Sequence, residues 1–389
     1  MNSLIATARL ARPRLSLAII RSAAVLIAAA AAISLASAAR AQPTITNLGV
    51  LPGETTSFGF VVNSNGTAVG GQSAGGHSVF RWTAGGGLAN LGSLPGAIGQ
   101  QCLAINADGS VLAGYSALPG FDTRAFRWTS AGGMENLGGL PGAGLSGAFG
   151  LSADGLHVVG HAETAAGDTH AVRWHAGGIE DLGTLPGGSF SEAYSISADT
   201  STITGLSDDA NGNGTAIRWT AGGAAQSLGA LPGQTYSQAN ATSANGAVIV
   251  GAWDDGNVSR AFRWTAQGGM QSLGALGSNL NSGTRSVTAD GAFIAGGSGD
   301  AANGYRAFLW SSDLGMVDLN TYLPTLGLDL TGWTLQGASI SGDGTALTGN
   351  GLFNGEQRAY LVNNIPTPGA ATVLTLGGVF AARRRRGAR

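Results

Sequence analysis

LGGLPGAGLSGAFGLSADGLHVVGHAETAAGDTHAVRW, residues 137–174, is one copy of a unit that six other segments repeat. Three marks define it. The first is Leu-Gly, usually leading into Leu-Pro-Gly, and it opens at Leu48, Leu91, Leu137, Leu182, Leu228 and Leu273, with Leu319-Asn320 as a weaker copy. The second is a turn at Asn65-Gly66, Asp108-Gly109, Asp154-Gly155, Asp199-Thr200, Asn245-Gly246, Asp290-Gly291 and Asp343-Gly344. The third is Arg-Trp at Trp82, Trp128, Trp174, Trp219 and Trp264, degrading to Leu309-Trp310 and then Leu361-Val362. A period of roughly 45 residues lies in the range of repeat architectures.

Within a unit the apolar pattern has period two, so Tyr194 and Ile196 of Ala193–Ser197 are expected on one face and the small residues on the other. Asp-Gly between two such runs predicts a hairpin with a type I′ turn, which needs positive φ at both central residues. Val158-Val159-Gly160, a variable loop, Ala171–Trp174, a Gly-Gly turn and Ile179–Leu182 complete the unit. Four short strands joined by tight turns make a propeller blade, and no helix signal stands between the ends of the chain. The seventh unit stops at Ala359–Val362 without a fourth strand, while Thr44–Gly49 is a surplus copy of that strand ahead of the first unit. The expectation is an all-β, seven-bladed β-propeller of four-stranded blades, closed by the N-terminal strand, which removes exposed strand edges.

Composition agrees. Of 389 residues 66 are Gly and only 11% are charged, and the glycines fall at repeated turn positions. A net charge of −2 lacks the basic stripe that a nucleic-acid partner requires. Arg9, Arg12, Arg14 and Arg21 precede an apolar run from Ala23 to Ala36, and Ala39-Arg40-Ala41 forms an A-x-A site before Gln42. Residues 1–41 therefore read as a secretory signal peptide, cleaved between Ala41 and Gln42, and the chain as exported. The propeller is expected over 42–364. Cys102 is the single cysteine, so no internal disulfide forms, and its place in the repeat matches Gly59, Ala148, Ala193 and Ala239: a small buried residue. In the last segment, 365–389, Ile365–Gly369 leads into an apolar run, Ala370–Ala382, and then Arg383–Arg386. Thirteen residues of helix span about 20 Å against a hydrocarbon core of about 30 Å. Such a tail suits a transient membrane contact and a sorting signal, with the arginines on the cytoplasmic side.

On these residues the chain resembles two known families. Leu-Gly with Leu-Pro-Gly-Gly (182–188), Ile-Ser-Ala-Asp (196–199) and Ala-Phe-Arg-Trp (125–128, 261–264) is similar to the HAF repeat family of extracellular bacterial proteins, over about residues 44 to 362. That resemblance implies a secreted repeat protein and supplies no catalytic residues. The tail resembles the PEP-CTERM sorting signal, with Pro366-Thr367-Pro368-Gly369 at the Pro-Glu-Pro position and Thr367 in place of Glu. It implies processing by an exosortase-type enzyme at a Gram-negative-type envelope.

Candidate sites are few. The Arg of Arg-Trp reads as structural, paired to a turn Asp or a carbonyl rather than forming a ring of anion binders. Asp208–Gly214 has calcium-loop composition without the terminal Glu, and reads as a solvated loop. His77, His157, His161, His170 and His175 are scattered, and His157 and His161, four apart on a strand, lie about 13 Å from each other, too far to share zinc. The turn Asp residues are occupied by turn chemistry. A glycosidase pair among Glu54, Glu192 and Asp254-Asp255 is not favoured by spacing, and no nucleophile elbow, phosphate loop or cofactor motif appears. Binding is expected on the face where the second-to-third connections emerge, at 115–124, 162–170, 206–215, 252–260 and 298–306, because these vary while the frame stays constant. Trp253, outside the Arg-Trp series and beside Asp254 and Asp255, is the expected contact, with Tyr115 at the corresponding place in the second unit; an exposed aromatic next to carboxylates suits a sugar. The functional expectation is a non-enzymatic surface propeller that binds extracellular polysaccharide or a surface protein. The alternative is a secreted carbohydrate-active enzyme (glycosidase or lyase) with a carboxylate pair at the channel mouth.

Overall fold

The computed structural model describes residues 42–366, apart from 74–76, 278–279, 301 and 303. Ala41 and the sorting residues Thr367, Pro368 and Gly369 lie outside the described residues. The fold is a ring of seven four-stranded antiparallel sheets, a seven-bladed β-propeller. Blade 3 shows the plan: Ser146–Leu151, Val158–Glu163, Thr169–His175 and Gly178–Gly183, paired in chain order. The first strand of each blade lines the axis, and the fourth forms the rim. In the seventh blade the outer strand is Thr44–Asn47, which pairs with Glu356–Asn363 in the register Thr44↔Asn363 to Asn47↔Tyr360. The chain therefore closes as its offset repeat predicts, because a third strand left at the rim would present an unpaired edge.

The turns differ from expectation. Among the seven turns, positive φ falls on the glycine (Gly155, +74°) or on Thr200 (+59°), while Asp154 and its counterparts keep negative φ. The bond closing the turn runs from Gly155 N–H to Ser152 O at 2.9 Å. This is a type I turn followed by one left-handed residue, not type I′. The carboxylate explains the choice: Asp154 Oδ1 accepts from Ser152 Oγ and from Leu156 N–H, so the side chain braces the turn from outside. Ser152 Oγ also accepts from His157 N–H at 2.9 Å, and Asn63, Asn106, Ser197, Ser243, Thr288 and Ser341 accept in the same way in the other blades.

Blades are joined by packing and by two sets of hydrogen bonds. Val159 and Ala171 of one blade pack on Ala193, Ile196, Ile203, Ile217 and Trp219 of the next, and comparable clusters fill other interblade spaces. Near the axis, Ser64 N–H donates to Ala107 O, Ala107 N–H to Ala153 O, and Asp343 N–H to Ser64 O, stitching turn to turn across the ring closure. Farther out, Ser57 Oγ accepts from Ala359 N–H and donates to Gly49 O. Ser191 Oγ does the same with Ala171 N–H and Gly183 O. Four of the five Arg-Trp arginines make structural contacts: Arg81 and Arg127 donate to the turn carbonyls of Gly109 and Gly155, Arg173 to Glu180, and Arg218 lies 4.7 Å over the Trp264 ring.

One helix interrupts the pattern, where none was expected. Leu319–Thr325 replaces the Leu-Pro-Gly connection before the last blade. Asp318 caps it by accepting from Asn320 N–H, and Leu319 and Leu323, four apart, are fully buried on one face. No helix of the described residues is long and apolar enough to cross a membrane.

Candidate functional site: the central channel

Each first strand carries a β-bulge, and the bulges make the site. In the register of blade 3, Ala148 pairs with Gly160 and Gly150 with Val159, so Phe149 is skipped. The skipped residues in order around the ring are Phe60, Leu103, Phe149, Tyr194, Asn240, Arg285 and Gln336. A bulge re-aims a side chain that strict alternation would have packed between blades. Tyr194 consequently does not share a face with Ile196. Ile196 is buried among Ala193 and Ile203, whereas Tyr194 lines the channel.

The bulge also explains a glycine that recurs in every second strand. A Cβ on Gly160 would stand 1.9 Å from Gly147 O, and one on Gly205 1.9 Å from Glu192 O, so no side chain fits opposite the bulge. The sequence thus held a signal for the channel residues: this glycine marks the partner strand of each bulge.

The channel encloses about 620 Å³ and all seven first strands line it. Its wall is two-sided. Phe60, Leu103 and Phe149 form an apolar arc, and Tyr194, Asn240 and Arg285 continue the ring as a polar one. None of the lining residues is Asp or Glu. Beside the wall, Glu192 accepts from Tyr194 Oη at 2.5 Å, and His161 Nδ1 stands 3.3 Å from its other oxygen. Burial pushes the Glu192 carboxyl upward while the Tyr194 hydroxyl partly offsets it. Burial pulls His161 down to about 4, so the imidazole is neutral near pH 7 and the contact with Glu192 is not a charge pair. Phe149 packs on both, at ring distances of 5.1 Å to His161 and 5.5 Å to Tyr194. A second polar run continues along the wall: Tyr236 Oη to Gln238, Gln238 to Asn240, and Asn240 to Thr284 O, at 2.8, 3.0 and 2.9 Å.

The residues expected to touch ligand are placed differently from one another. Trp253 and Asp254 lie in the strand Val248–Asp254 and Tyr115 in the strand Val111–Leu118, because the second and third strands run farther than the variable segments suggested. Trp253 pairs with Ser237 and Tyr115 with Gln101; in register Tyr115 matches Ala252, not Trp253. The two aromatics therefore project to opposite faces of their sheets. Trp253 is half-buried against the cluster of Leu228, Ile249 and Phe262, and its indole N–H is buried without a partner, so it is not the open platform expected. Asp254 accepts from Gly256 N–H and Asp255 from Asn257 and Val258 N–H, closing the hairpin between them. Tyr115 stands nearer the channel, with its ring 6.4 Å from Phe149.

Other expectations fall as follows. Cys102 is fully buried and free, and burial pushes its thiol up to about 12. In the 208–214 segment, Asp208 caps Ser189 and Phe190 N–H, and Asp209 accepts from Asn211 and Asn213 N–H. Among the described residues no group of three or more His, Cys, Asp or Glu is placed to hold a metal ion. His157 faces His175, at 6.1 Å between rings, while His161 turns toward Glu192. Glu54 accepts from Ser78 Oγ, away from Glu192.

No protein-family model matches the chain, and no curated protein matches it. Solved structures resemble it in fold. An oligogalacturonate lyase in complex with manganese superposes with a TM-score of 0.54 at 12% identity, over 83% of this chain and 93% of that one. The oligogalacturonate lyase of Vibrio parahaemolyticus gives 0.52 at 9% identity, over 83% and 94%. The β-propeller domain of the Trilobed protease from Pyrococcus furiosus gives 0.52 at 7%, over 79% and 95%. The chain spans 65% of the TolB of Acinetobacter baumannii. Likeness at such identity defines the class, a β-propeller protein, and not its chemistry.

Proposed function

We propose that the mature chain is an exported, non-enzymatic propeller that binds an extracellular glycan or surface protein on the face carrying the second-to-third connections, over the mouth of the channel. One observation carries the reading. The channel wall is amphipathic, with an apolar arc of Phe60, Leu103 and Phe149 facing amide, phenol and guanidinium groups, yet no Asp or Glu lines it. Sugar recognition needs that combination of an apolar face and fixed hydrogen-bond groups, whereas glycoside hydrolysis needs two carboxyl groups flanking one bond. Export rests on the signal-peptide pattern of residues 1–41. Sorting by an exosortase-type enzyme, with transient membrane contact, rests on residues 365–389 and their resemblance to PEP-CTERM tails. The HAF-like repeat agrees with both.

A second reading is a carbohydrate-active enzyme, and a specific contact favours it: Glu192, His161 and Tyr194 form a buried acid–base cluster next to the wall. Purified residues 42–364, incubated with a polysaccharide panel and probed in parallel on a glycan array, separate the two. The binding reading expects retention without new reducing ends or unsaturated products. Turnover abolished by Glu192→Gln would overturn it. For the tail, mass spectrometry of the surface form should find an end near residue 366; an intact Arg389 on the exported protein contradicts sorting with cleavage.

A further inference from the structure

Arg285 is the one cation on the channel wall, and no carboxylate faces it. Among the described residues its side chain has one hydrogen bond, from Nη1 to Asn350 Oδ1 at 3.1 Å, and no Asp or Glu lines the channel or the smaller cavity that opens beside it. Close packing lowers the guanidinium's basicity, yet arginine stays charged at any physiological pH. Although crowded by neighbours, the side chain remains open to solvent through the channel. A guanidinium held in place at a cavity mouth with no carboxylate beside it can receive an anionic group of a ligand.

The smaller cavity, about 440 Å³, is lined by two glycines of blade 6, Gly283 and Gly297. The position after the second-strand glycine carries Gln72, Tyr115, His161, Leu206, Ala252 and Asn350 in six blades and Gly297 in blade 6. Where Tyr115 and His161 fill the groove toward the next blade, Gly297 leaves it empty. Tyr305, Gln336 and Asn350 line the opening around Arg285. Gly337 completes the bed: a Cβ there would stand 2.9 Å from Arg285 Cζ and 3.0 Å from Asn350 Oδ1, displacing both.

We propose that this pocket between blades 6 and 7 binds a carboxylated sugar ring, its carboxylate on Arg285 and its hydroxyls on Tyr305, Gln336 and Asn350. This rests on the reading of the chain as a glycan binder and names the class of glycan. Arginine pairs bidentately with a carboxylate. Amide and phenol groups both donate and accept, matching hydroxyls, which do the same. An acidic peptide would supply the carboxylate but few hydroxyls for the remaining groups.

Calorimetric titration of residues 42–364 with oligoglucuronate, with the neutral oligoglucose of the same linkage and length, and with oligoglutamate tests this. The acidic sugar should bind at least about tenfold tighter than the neutral one, and Arg285→Gln should lose roughly 10- to 100-fold of that affinity with an unchanged melting temperature. Gly297→Leu, which places there the side chain that blade 4 carries as Leu206, should lose it as well while keeping the charge. If Arg285→Gln fails to fold, Gly297→Leu decides. Equal affinity for acidic and neutral sugars overturns the carboxylate assignment and leaves the glycan reading standing. Equal affinity for oligoglutamate overturns the sugar assignment. Acid preference retained in both variants places the site elsewhere, and binding of neither oligosaccharide overturns the inference whatever the glycan array shows.

Discussion

Tyr194 and Glu192 stand two residues apart on one strand, yet the Tyr194 hydroxyl donates to Glu192 Oε2 at 2.5 Å. Regular alternation would leave neighbours on the same face side by side, but the bulge at Tyr194 swings its ring to the channel while the hydroxyl reaches back. The contact favours the ionised carboxylate against the burial that opposes it. Tyr194→Phe should therefore raise the Glu192 titration midpoint further, read by carbon NMR of the labelled side chain. An unchanged or lower midpoint would show that the hydroxyl does not hold the charge.

His161 makes stability pH-dependent with a definite sign. Its folded value, about 4, lies below the ordinary 6.5, so between these pH values the unfolded chain binds a proton that the folded one does not. Relative to His161→Gln, the parent should lose about 3 kcal/mol as pH falls through that window. Glu192 acts oppositely: its folded carboxyl is raised, so relative to Glu192→Gln the parent loses stability as pH rises through the carboxyl's titration. Denaturant midpoints across pH check both, and a pH-independent difference between parent and His161→Gln would contradict the first.

Ring closure should be sensitive at one hydroxyl. Ser57 Oγ joins Ala359 N–H of the last blade to Gly49 O of the closing segment, with Ser57 and Ala359 both fully buried. Ser57→Ala leaves both backbone groups without that partner and should cost about 1–3 kcal/mol. Deleting residues 44–49 should go further, exposing the edge of Glu356–Asn363 and causing aggregation seen by light scattering. A deletion variant as soluble and heat-stable as the parent would show that the strand is dispensable.

Trp253 is expected to act through packing. Its ring sits against the Leu228, Ile249 and Phe262 cluster, so Trp253→Ala should lower stability by about 3 kcal/mol while affinity per folded molecule stays the same. Asp254→Ala and Asp255→Ala should loosen only the hairpin they cap. Loss of glycan binding at unchanged melting temperature would restore Trp253 as a contact.

The sequence by itself determined the number of blades, the four strands in each, the closing strand Thr44–Asn47, the burial of Cys102 and the structural part played by the Arg-Trp arginines. These follow from features carried locally in every repeat: turn residues at fixed offsets, alternating apolar residues, and a surplus copy at one end. The type of turn escaped it, because the choice depends on Ser152 and Asp154 side chains bonding to the backbone of their own hairpin. The helix at Leu319–Thr325 escaped it because about two turns carrying two buried leucines are short beside a repeat of strands. The site escaped it for a different reason. A bulge is a property of two paired strands, visible only when Gly160 is set against Gly147, and it converts Tyr194, Asn240 and Arg285 from interblade positions into channel positions. The packed blades then bring Arg285 to Asn350, 65 residues away, with Gly283 and Gly297 leaving space beside them. Packing of blade 7 against blade 6 gives those residues a common cavity, because Gly283, Arg285, Gly297 and Tyr305 come from one sheet and Gln336 and Asn350 from the next.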